Sequence, residues 1–400
     1  MILLLGYGIA NKGISRLLDK LHEKYIIKNS EEIINKEDYN LIIRSPGINP
    51  KDKVFNLLKG EVITDIELVY RLLHPYIILV SGSNGKTTIA SMISTMLGND
   101  AVLCGNMGYS IGDAVVDYPN KKYYVVEASS FMLLGIKELK PNIYVLSNIS
   151  PCHIDYHKTL ENYINSKLKP LNNMDNKDIF IYMKENKYIN LNKINSKTIT
   201  YSQANTSSSI TKIGNNIYFK EKKILTIKNV RSYIILNIMA ALGVIISLNY
   251  DLKLAIKRLK KYKLMPYRAQ LENKYIINDA KSTNSEATNQ LLKEYNNVYL
   301  ICGGFDRGIP IYLSKESLNN IKCVFAYGDS KDKIEAYFYS KNIRVFKFEN
   351  LKEAYYNAYY NRINKEYIIY SPMYPSYDQF NSFMERGLLF HELTKELLKK

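Results

Sequence analysis

Short apolar runs alternate with stretches of helical spacing along most of the chain. Residues 2–5 form the first run, a tight turn follows at Gly6 and Gly8, and residues 13–21 then have helical spacing. A second apolar run, residues 39–43, leads into a turn of Ser, Pro and Gly. Buried strands that alternate with helices predict a parallel sheet. We assign this pattern to a short first domain at residues 1–74.

The second segment begins with an apolar run at residues 76–80, followed by a glycine-rich loop and a predicted helix at residues 89–97. Further strands are predicted at residues 123–126 and 143–146. Residues 178–230 differ, because short β-rich pieces there are separated by Asn and Ser turns. They predict a small antiparallel insertion in a central α/β domain, which we place at residues 75–263.

The last segment alternates strands and helices again, and we place it at residues 264–400. Its strands are predicted at residues 275–278, 298–302, 323–327, 344–348 and 367–370. Such a pattern favours a Rossmann-like, doubly wound sheet. The expected fold class is therefore α/β with three domains: a Rossmann-like first domain, a P-loop ATPase-like central domain and a Rossmann-like C-terminal domain.

Composition excludes some classes of protein and leaves others open. The chain has 400 residues, of which 46% are hydrophobic and 23% charged, as in ordinary globular proteins. The net charge of +17 is spread along the chain, whereas a nucleic-acid surface should be localised. We therefore attribute it to lysine-rich codon usage and anionic substrates, and we expect no nucleic-acid partner. A nucleic-acid-dependent P-loop ATPase remains an alternative, but only the net positive charge suggests it.

The four cysteines, Cys104, Cys152, Cys302 and Cys323, include no C-x-x-C pair. They indicate a reducing cytoplasm rather than a disulfide framework. The apolar start of the chain is too short for a signal peptide, and no apolar run of about 18 residues predicts a membrane span. We expect a cytoplasmic protein without a membrane partner.

The glycine-rich loop between a predicted strand and a predicted helix is the most specific motif. Its residues are Gly82, Ser83, Asn84, Gly85, Lys86, Thr87 and Thr88. Glycines let backbone N–H groups point at phosphate oxygens, and the helix start adds a partial positive charge. Lys86 can reach the β- and γ-phosphates, and the Thr87 hydroxyl can bind Mg²⁺. The loop therefore predicts an ATP site.

Val80 stands where the general P-loop pattern has its first glycine. The compact G-S-N-G-K-T-T form resembles instead the loop of Mur ligases and folylpolyglutamate synthetases. Residues 105–108, Gly-Asn-Met-Gly, are similar to the G-N-I-G turn of Mur ligases, which implies that Asn106 contacts substrate.

Three further motifs resemble the metal site of the Mur ligase family. Residues 125–131 are similar to V-V-E-[LA]-S-S-F and imply Glu127 as a metal ligand. Residues 148–157 resemble N-[IV]-[ST]-x-D-H-[LM]-D-x-H and imply His153, although Cys152 replaces the usual Asp. Residues 163–167 resemble Y-x-x-[AS]-K, whose lysine, here Lys167, is carbamylated in the family. The resemblance implies two Mg²⁺ ions on Thr87, Glu127, His153 and carbamylated Lys167, with Lys86, His153 and Lys167 as catalytic residues.

The resemblance continues into the third segment. Residues 264–268 look like G-L-P-H-R and imply that Arg268 contacts ATP phosphates. Residues 278–284 are close to N-D-S-K-A-T-N, which implies a ribose contact for Asp279, a catalytic role on the acyl phosphate for Lys281 and an amino-acid contact for Thr283. Of the family's H-N-x-x-N motif only Asn237 remains, and it is the expected nucleotide contact.

Residues 376–387 resemble S-x-D-Q-F-x-x-F-x-x-R-G, which is typical of the D-glutamate-adding members. Ser376, Tyr377 and Phe383 are therefore expected to cradle D-glutamate, and Arg307, in a G-G-x-D-[RK]-G-like run, to supply positive charge. The first domain is expected to bind the UDP end of the other substrate. Its contacts there are Ile9, Ala10 and Gly47.

These motifs together imply an ADP-forming ligase, expected to be a monomer, that adds D-glutamate to UDP-N-acetylmuramoyl-L-alanine through an acyl phosphate. The pathway would be cytoplasmic peptidoglycan precursor synthesis, and hence cell-wall biogenesis, cell shape and cell division. One alternative is another Mur or folylpolyglutamate-type ligase. Another, suggested by Cys152 and the eroded H-N-x-x-N motif, is a catalytically weakened nucleotide-binding homologue.

Overall fold

The computed structural model describes residues 1–106, 108–308, 310–363 and 365–399, so Met107 of the Gly-Asn-Met-Gly turn lies outside the described residues. The chain forms two units, Met1–Tyr262 and Lys263–Lys400. The boundary between them lies one residue from the one expected at 263/264. The boundary expected after residue 74 falls inside the first unit, where it separates two sheets and stays a prediction.

The first sheet of the first unit is parallel and contains the predicted strands at residues 2–5 and 39–43. Its strands, in the order β2-β1-β3-β4, are β1 (Ile2–Leu5), β2 (Tyr25–Lys28), β3 (Glu37–Arg44) and β4 (Leu58–Ile63). Its helices are α1 (Ile9–Lys20) and α2 (Asp65–Leu73). Because the strands are parallel, the turns that follow β1 and β3 lie at the same edge of the sheet.

The second sheet of this unit has the order β13-β12-β11-β10-β9-β8-β5-β7-β6. Its strands are β5 (Ile77–Ser81), β6 (Ala101–Gly105), β7 (Tyr123–Glu127), β8 (Ile143–Leu146), β9 (Ile179–Met183), β10 (Lys197–Ser202), β11 (Ile210–Ile213), β12 (Asn216–Phe219) and β13 (Lys222–Thr226). Its helices are α3 (Lys86–Leu97), α4 (Ile111–Asp117), α5 (Ser130–Leu134), α6 (Ile154–His157), α7 (Leu160–Leu168), α8 (Ser232–Ser247) and α9 (Leu252–Leu259).

The insertion predicted at residues 178–230 is antiparallel only in its second half. Strands β11, β12 and β13 pair antiparallel, whereas β9 and β10 pair in parallel and extend the central sheet beyond β8. The Asn and Ser turns therefore marked the strand ends correctly, but they did not reveal the direction of the first two strands.

The two sheets of the first unit share a hydrophobic core, which contains Leu4 and Ile43 from the first sheet and Leu79 and Val126 from the second. A buried carboxylate reinforces this contact: Glu67 of α2 accepts hydrogen bonds of 2.8–2.9 Å from the backbone N–H groups of residues 137–139. A shared core explains why residues 1–262 form one unit, since a short domain buries little apolar surface by itself.

The second unit contains one doubly wound sheet, in the order β14-β15-β19-β16-β17-β18. Its strands are β14 (Gln270–Asn273), β15 (Ile276–Asn278), β16 (Val298–Gly303), β17 (Ile321–Tyr327), β18 (Arg344–Phe348) and β19 (Tyr367–Met373). Its helices are α10 (Ser285–Leu292), α11 (Lys315–Asn319), α12 (Lys331–Tyr339), α13 (Leu351–Tyr360) and α14 (Phe383–Lys399). All strands except the edge strand β14 are parallel, which confirms the Rossmann-like prediction.

Among the residues that the structure describes, no helix combines the length and apolar character needed to cross a bilayer.

Candidate functional site

The glycine-rich loop lies between β5 and α3, as the sequence predicted. Gly82 and Gly85 both have positive φ values, +140° and +85°, which favour glycine. A Cβ atom at Gly82 would overlap the Ser147 hydroxyl, and one at Gly85 would lie 2.6 Å from Asn237 Oδ1. Asn237, from the middle of α8, is therefore in direct contact with the loop.

The segment after β8 fixes this loop from the neighbouring strand end. Asn148 accepts hydrogen bonds from the backbone N–H groups of Ser83 (2.8 Å, to its carbonyl oxygen) and Asn84 (3.0 Å, to Oδ1). The Ser83 hydroxyl accepts a hydrogen bond from the Ser150 N–H and lies 2.7 Å from the Tyr163 hydroxyl. The sequence analysis did not assign this supporting role, although the position of these residues after a strand adjacent to β5 was a usable signal.

Two of the expected phosphate-binding residues, Lys86 and Thr87, begin α3. The Lys86 ammonium donates a 2.9 Å hydrogen bond to the Ser83 carbonyl oxygen, so its side chain folds back over the loop. Thr87 and Thr88 are buried in the first turn of α3. This turn carries the partial positive charge of the helix start, so the loop and the helix together suit a polyphosphate.

Lys167, from α7, is buried under the loop with only 1% of its surface exposed. Its Nζ atom donates hydrogen bonds to the Gly82 carbonyl oxygen (2.9 Å) and the Ser81 hydroxyl (3.3 Å), and it lies 4.9 Å from the centre of the Tyr163 ring. Burial, and secondarily the charge of Lys86, lowers the pKa of Lys167 well below its ordinary value. The charged form of Lys167 is therefore less favoured than that of a surface lysine.

Glu127 ends β7, the strand next to β5, and only 2% of its surface is exposed. Its Oε1 atom accepts a long hydrogen bond of 3.4 Å from the Asn106 amide, and the Asn106 N–H donates to its carbonyl oxygen. Its Oε2 atom is buried and accepts no hydrogen bond from the described residues. A buried carboxylate oxygen without a partner is costly, and a bound cation would remove that cost.

His153 precedes α6 in a left-handed conformation, and its ring packs edge-on against Phe131, 4.9 Å away between centroids. Cys152 is buried and close enough to Lys167 and Tyr163 to affect their pKa values. Within the described ranges, no three His, Cys, Asp or Glu side chains form a group that would hold a metal ion. The expected set needs a hydroxyl and a modified lysine as well, so it stays a prediction.

The expected contacts for the UDP end lie at the carboxyl edge of the first sheet. The turn after β1, with Ile9 and Ala10 at the start of α1, lies beside the turn after β3: the Ser45 N–H donates to the Leu5 carbonyl oxygen over 2.9 Å. Ile9 and Gly47 are exposed. Arg44, which directly follows Ile43 at the end of β3, is buried, and the sequence analysis assigned it no role.

Arg44 connects that turn to the second sheet. It donates hydrogen bonds to the Ile48 carbonyl oxygen, to the Tyr156 hydroxyl over 3.2 Å and to the Phe131 carbonyl oxygen over 2.9 Å. The turn with Gly47 is therefore held to the segments that carry Glu127 and His153. A cavity of about 420 Å³ opens next to this contact, lined among others by Asn49, Tyr156 and Lys169, but by none of the residues expected to bind ATP, Mg²⁺ or substrate.

In the second unit, Asp279 is buried directly after β15. Its carboxylate accepts hydrogen bonds from the Ser282 and Ser371 hydroxyls and the Ala269 N–H, and burial raises its pKa to about 6. Arg268 is close enough to oppose that rise. The carboxylate that is expected to contact ribose therefore already accepts three hydrogen bonds within the second unit.

The residues expected to hold the amino acid follow β15, β16 and β19, which are neighbours in the sheet. The Lys281 Nζ atom lies 3.9 Å from the centre of the Phe383 ring, and the Arg307 guanidinium 5.9 Å from that of Tyr377. Ser376 is buried, whereas Thr283 and Tyr377 are exposed. This edge of the sheet therefore combines two cations, two aromatic rings and the hydroxyls of Ser376 and Thr283.

Comparisons with known proteins agree with these motifs. Residues 80–245 match the family model of the Mur ligase middle domain. The chain is 30% identical to the UDP-N-acetylmuramoylalanine–D-glutamate ligase of Ligilactobacillus salivarius, over 94% of this chain and 87% of the relative. It is also 30% identical to the ligase of the same name from Fusobacterium nucleatum, over 98% of each.

Two solved structures have the same fold at low sequence identity. The MurF ligase from Thermotoga maritima in complex with ADP is similar with a TM-score of 0.64 and 15% identity, over 92% of this chain and 97% of that one. A pseudomurein peptide ligase type C from Methanothermus fervidus has a TM-score of 0.65 and 14% identity, over 99% of each chain.

Proposed function

Because the chain belongs to the Mur ligase family, we propose that it is an ATP-dependent ligase that joins D-glutamate to UDP-N-acetylmuramoyl-L-alanine. The γ-phosphoryl group of ATP is transferred to the free carboxylate of the alanine residue, which gives an acyl phosphate and ADP. The amine of D-glutamate then attacks the acyl carbon, phosphate leaves, and the nitrogen loses a proton. The curated relatives with that name, which match nearly the whole chain, support this reaction.

The structural observation that carries the proposal is the loop from Gly82 to Gly85, with Lys167 buried beneath it and Asn237 in contact with it. Lys86 and the backbone N–H groups at the start of α3, which Asn148 does not occupy, bind the phosphates, and Thr87 and Thr88 lie in that first helical turn. Asn237 contacts the nucleotide, and Arg268 and Asp279 of the second unit supply its remaining contacts. Positioning and charge neutralisation account for most of the rate enhancement.

The described residues fit Mg²⁺, because the unpartnered Oε2 atom of Glu127 is a buried anionic ligand at a strand end. Thr87, His153 and Lys167 would complete two ion sites. Bound Mg²⁺ would neutralise the charge of the phosphate oxygens. Lys167 becomes a suitable ligand when its neutral amine adds CO₂ and releases a proton, which gives a carbamate. Its burial and its lowered pKa support that step.

The second unit binds the amino acid. Arg307 pairs with the side-chain carboxylate of D-glutamate, Ser376 donates a hydrogen bond, and Tyr377 and Phe383 pack against the carbon chain. Lys281 stabilises the acyl phosphate, and Thr283 contacts the amino acid. The short distance between Lys281 and the Phe383 ring supports this assignment.

The first sheet binds the UDP end of the acceptor through Ile9, Ala10 and Gly47, and Asn106 contacts the same substrate. The start of α1 suits a diphosphate. The reaction belongs to peptidoglycan precursor synthesis in the cytoplasm, and so to cell-wall formation, cell shape and cell division. The protein acts as a monomer, with no nucleic-acid or membrane partner.

Phosphate release tests the proposal. With ATP and Mg²⁺ present, release should require both D-glutamate and UDP-N-acetylmuramoyl-L-alanine, and L-glutamate should not replace D-glutamate. Release with a different amino acid or a folate acceptor would identify another ligase of this group. Stimulation by DNA or RNA would indicate a nucleic-acid-dependent ATPase.

Cys152 favours a second candidate, a homologue with weakened catalysis. It is buried beside Lys167, where the family motif has an aspartate. If the missing carboxylate limits turnover, Cys152→Asp should raise the rate and lower the Mg²⁺ concentration needed for half-maximal release. Cys152→Ser is the matched control without a charge. Bound ATP without turnover in the wild type would support this second candidate.

A further inference from the structure

Arg386, in the first turns of α14, is a fully buried cation with 0% exposure. Its Nε and Nη2 atoms donate to the Ala280 carbonyl oxygen over 3.3 and 3.0 Å, and Nη2 also donates to the Tyr374 carbonyl oxygen over 2.8 Å. In the described part of the chain, no carboxylate forms an ion pair with it. The guanidinium is thus used as a hydrogen-bond donor to backbone rather than as one half of a salt bridge.

The third nitrogen of this guanidinium faces a third loop. A Cβ atom at Gly304 would lie 3.3 Å from Arg386 Nη1. A larger residue at position 304 would therefore crowd this nitrogen. Nη1 is buried and donates no hydrogen bond to the described residues. One planar group therefore donates to the loops after β15 and β19 and lies next to the loop after β16.

Each of these loops carries a residue that the proposed function assigns to the amino acid or the acyl phosphate. Ala280 directly precedes Lys281, Tyr374 is two residues before Ser376, and Gly304 is three residues before Arg307. Burial of a charge without a carboxylate partner costs stability. Arg386 therefore acts here through the geometry of its hydrogen bonds and not through an ion pair.

We propose that Arg386 is a positioning residue that sets the mutual geometry of the three loops, and thereby the affinity for the amino-acid substrate. This inference rests on the proposed function, because it uses that assignment of Lys281, Ser376 and Arg307. The planar fork of arginine can donate to two carbonyl oxygens at fixed angles, which a lysine ammonium on a flexible stem does not reproduce. The positive charge near Ser376 also favours an anionic amino acid.

Arg386→Lys separates the two contributions, because it keeps the charge and loses the fork. We expect the KM for the amino acid to rise about tenfold to a hundredfold, since small misplacements of binding groups have effects of that size. The KM values for ATP and for the nucleotide-linked acceptor should stay within about twofold. Arg386→Met, which also removes the charge, should raise the KM for the amino acid further.

The matched control is Leu397→Ala, which removes a buried side chain from the same helix eleven residues later. Its melting temperature should fall at least as far as that of Arg386→Lys, while its KM for the amino acid stays at the wild-type value. Hydrogen exchange of the folded Arg386→Lys protein should be faster in residues 280–284, 304–308 and 374–378 than in the wild type.

The inference is overturned if the wild type is an active ligase but Arg386→Lys keeps the wild-type KM for the amino acid, or changes all three KM values equally. Unchanged exchange in the three loops overturns it as well, including for a variant too unstable for kinetics. An inactive wild type would instead refute the proposed function, so the two failures are distinguishable.

Discussion

The Lys167 Nζ atom donates a 2.9 Å hydrogen bond to the carbonyl oxygen of Gly82, which lies 85 positions earlier in the sequence. This contact places the lysine directly under the phosphate loop and removes it from water. Burial turns a residue that would be an ordinary surface lysine into an amine whose charged form is disfavoured. The chemistry of Lys167 therefore depends on the position of α7 beneath the phosphate loop.

The state of Lys167 can be observed directly with ¹³C-labelled bicarbonate. Because a carbamate forms from the neutral amine, we expect a carbamate resonance at neutral pH that weakens as the pH falls and the amine is protonated. Lys167→Met should abolish the signal and the ligase activity. Lys169→Met, two residues further on and only partly buried, should keep both. A wild type without the resonance at saturating CO₂ would refute carbamylation.

Gly85→Ala should weaken ATP binding. An alanine at φ +85° costs about 1–2 kcal/mol in backbone strain, and its Cβ atom would lie 2.6 Å from Asn237 Oδ1. We expect a loss of ATP affinity of at least about tenfold, the equivalent of 1.4 kcal/mol, measured by calorimetry.

The control for this substitution is Gly214→Ala, at φ +55° with nothing within 4 Å of the new atom. It has a similar backbone cost but lies in the turn between β11 and β12, so ATP affinity should stay unchanged. Equal effects of the two substitutions on ATP binding would show that Gly85 matters only for stability.

Glu127→Gln should raise the Mg²⁺ concentration needed for half-maximal phosphate release by at least about tenfold. The substitution keeps the shape of the side chain but removes the charge of the unpartnered Oε2 atom. Since no described residue donates a hydrogen bond to that oxygen, the melting temperature should stay the same or rise.

Glu67→Gln provides the opposite case in the same unit. Its carboxylate is equally buried but fully used by three backbone N–H groups and by Arg71. The melting temperature should fall, because the amide nitrogen cannot accept those hydrogen bonds, and the Mg²⁺ dependence should not change. The metal assignment of Glu127 fails if the two variants respond to Mg²⁺ in the same way.

Asp279 should titrate near pH 6, because burial raises its pKa from the ordinary 3.8 to about 6. The folded chain then holds a proton that the unfolded chain has already released, so the stability that comes from the protonated carboxyl falls as the pH rises through this interval. The side-chain carboxyl resonance that disappears in Asp279→Asn should show this pKa.

Melting experiments on the same pair give an independent check. The wild type should lose stability relative to Asp279→Asn between pH 4 and about 6.5, with no further change above that range. A resonance that titrates near 4 would mean that the three hydrogen bonds to the carboxylate outweigh its burial.

Local patterns were sufficient for the loop between β5 and α3, for most parallel strands and for the order of the motifs along the chain. Asn237 was expected to contact the nucleotide because it is the one residue that remains of the H-N-x-x-N motif. It lies next to Gly85 in the structure, and the nucleotide contact stays a prediction. The direction of β9 and β10 was not predicted, because short strands between polar turns have the same pattern in parallel and antiparallel sheets.

Which residue types follow which strands could be read from local patterns, because glycines, hydrophobic runs and helix starts act over a few positions. Long-range packing makes Arg44 and Arg386 buried donors to distant loops. It also places Lys167 under the phosphate loop and leaves one oxygen of Glu127 without a hydrogen-bond partner among the described residues. These properties depend on solvent exclusion by segments far apart in the chain, and no short-range pattern encodes which segments those are.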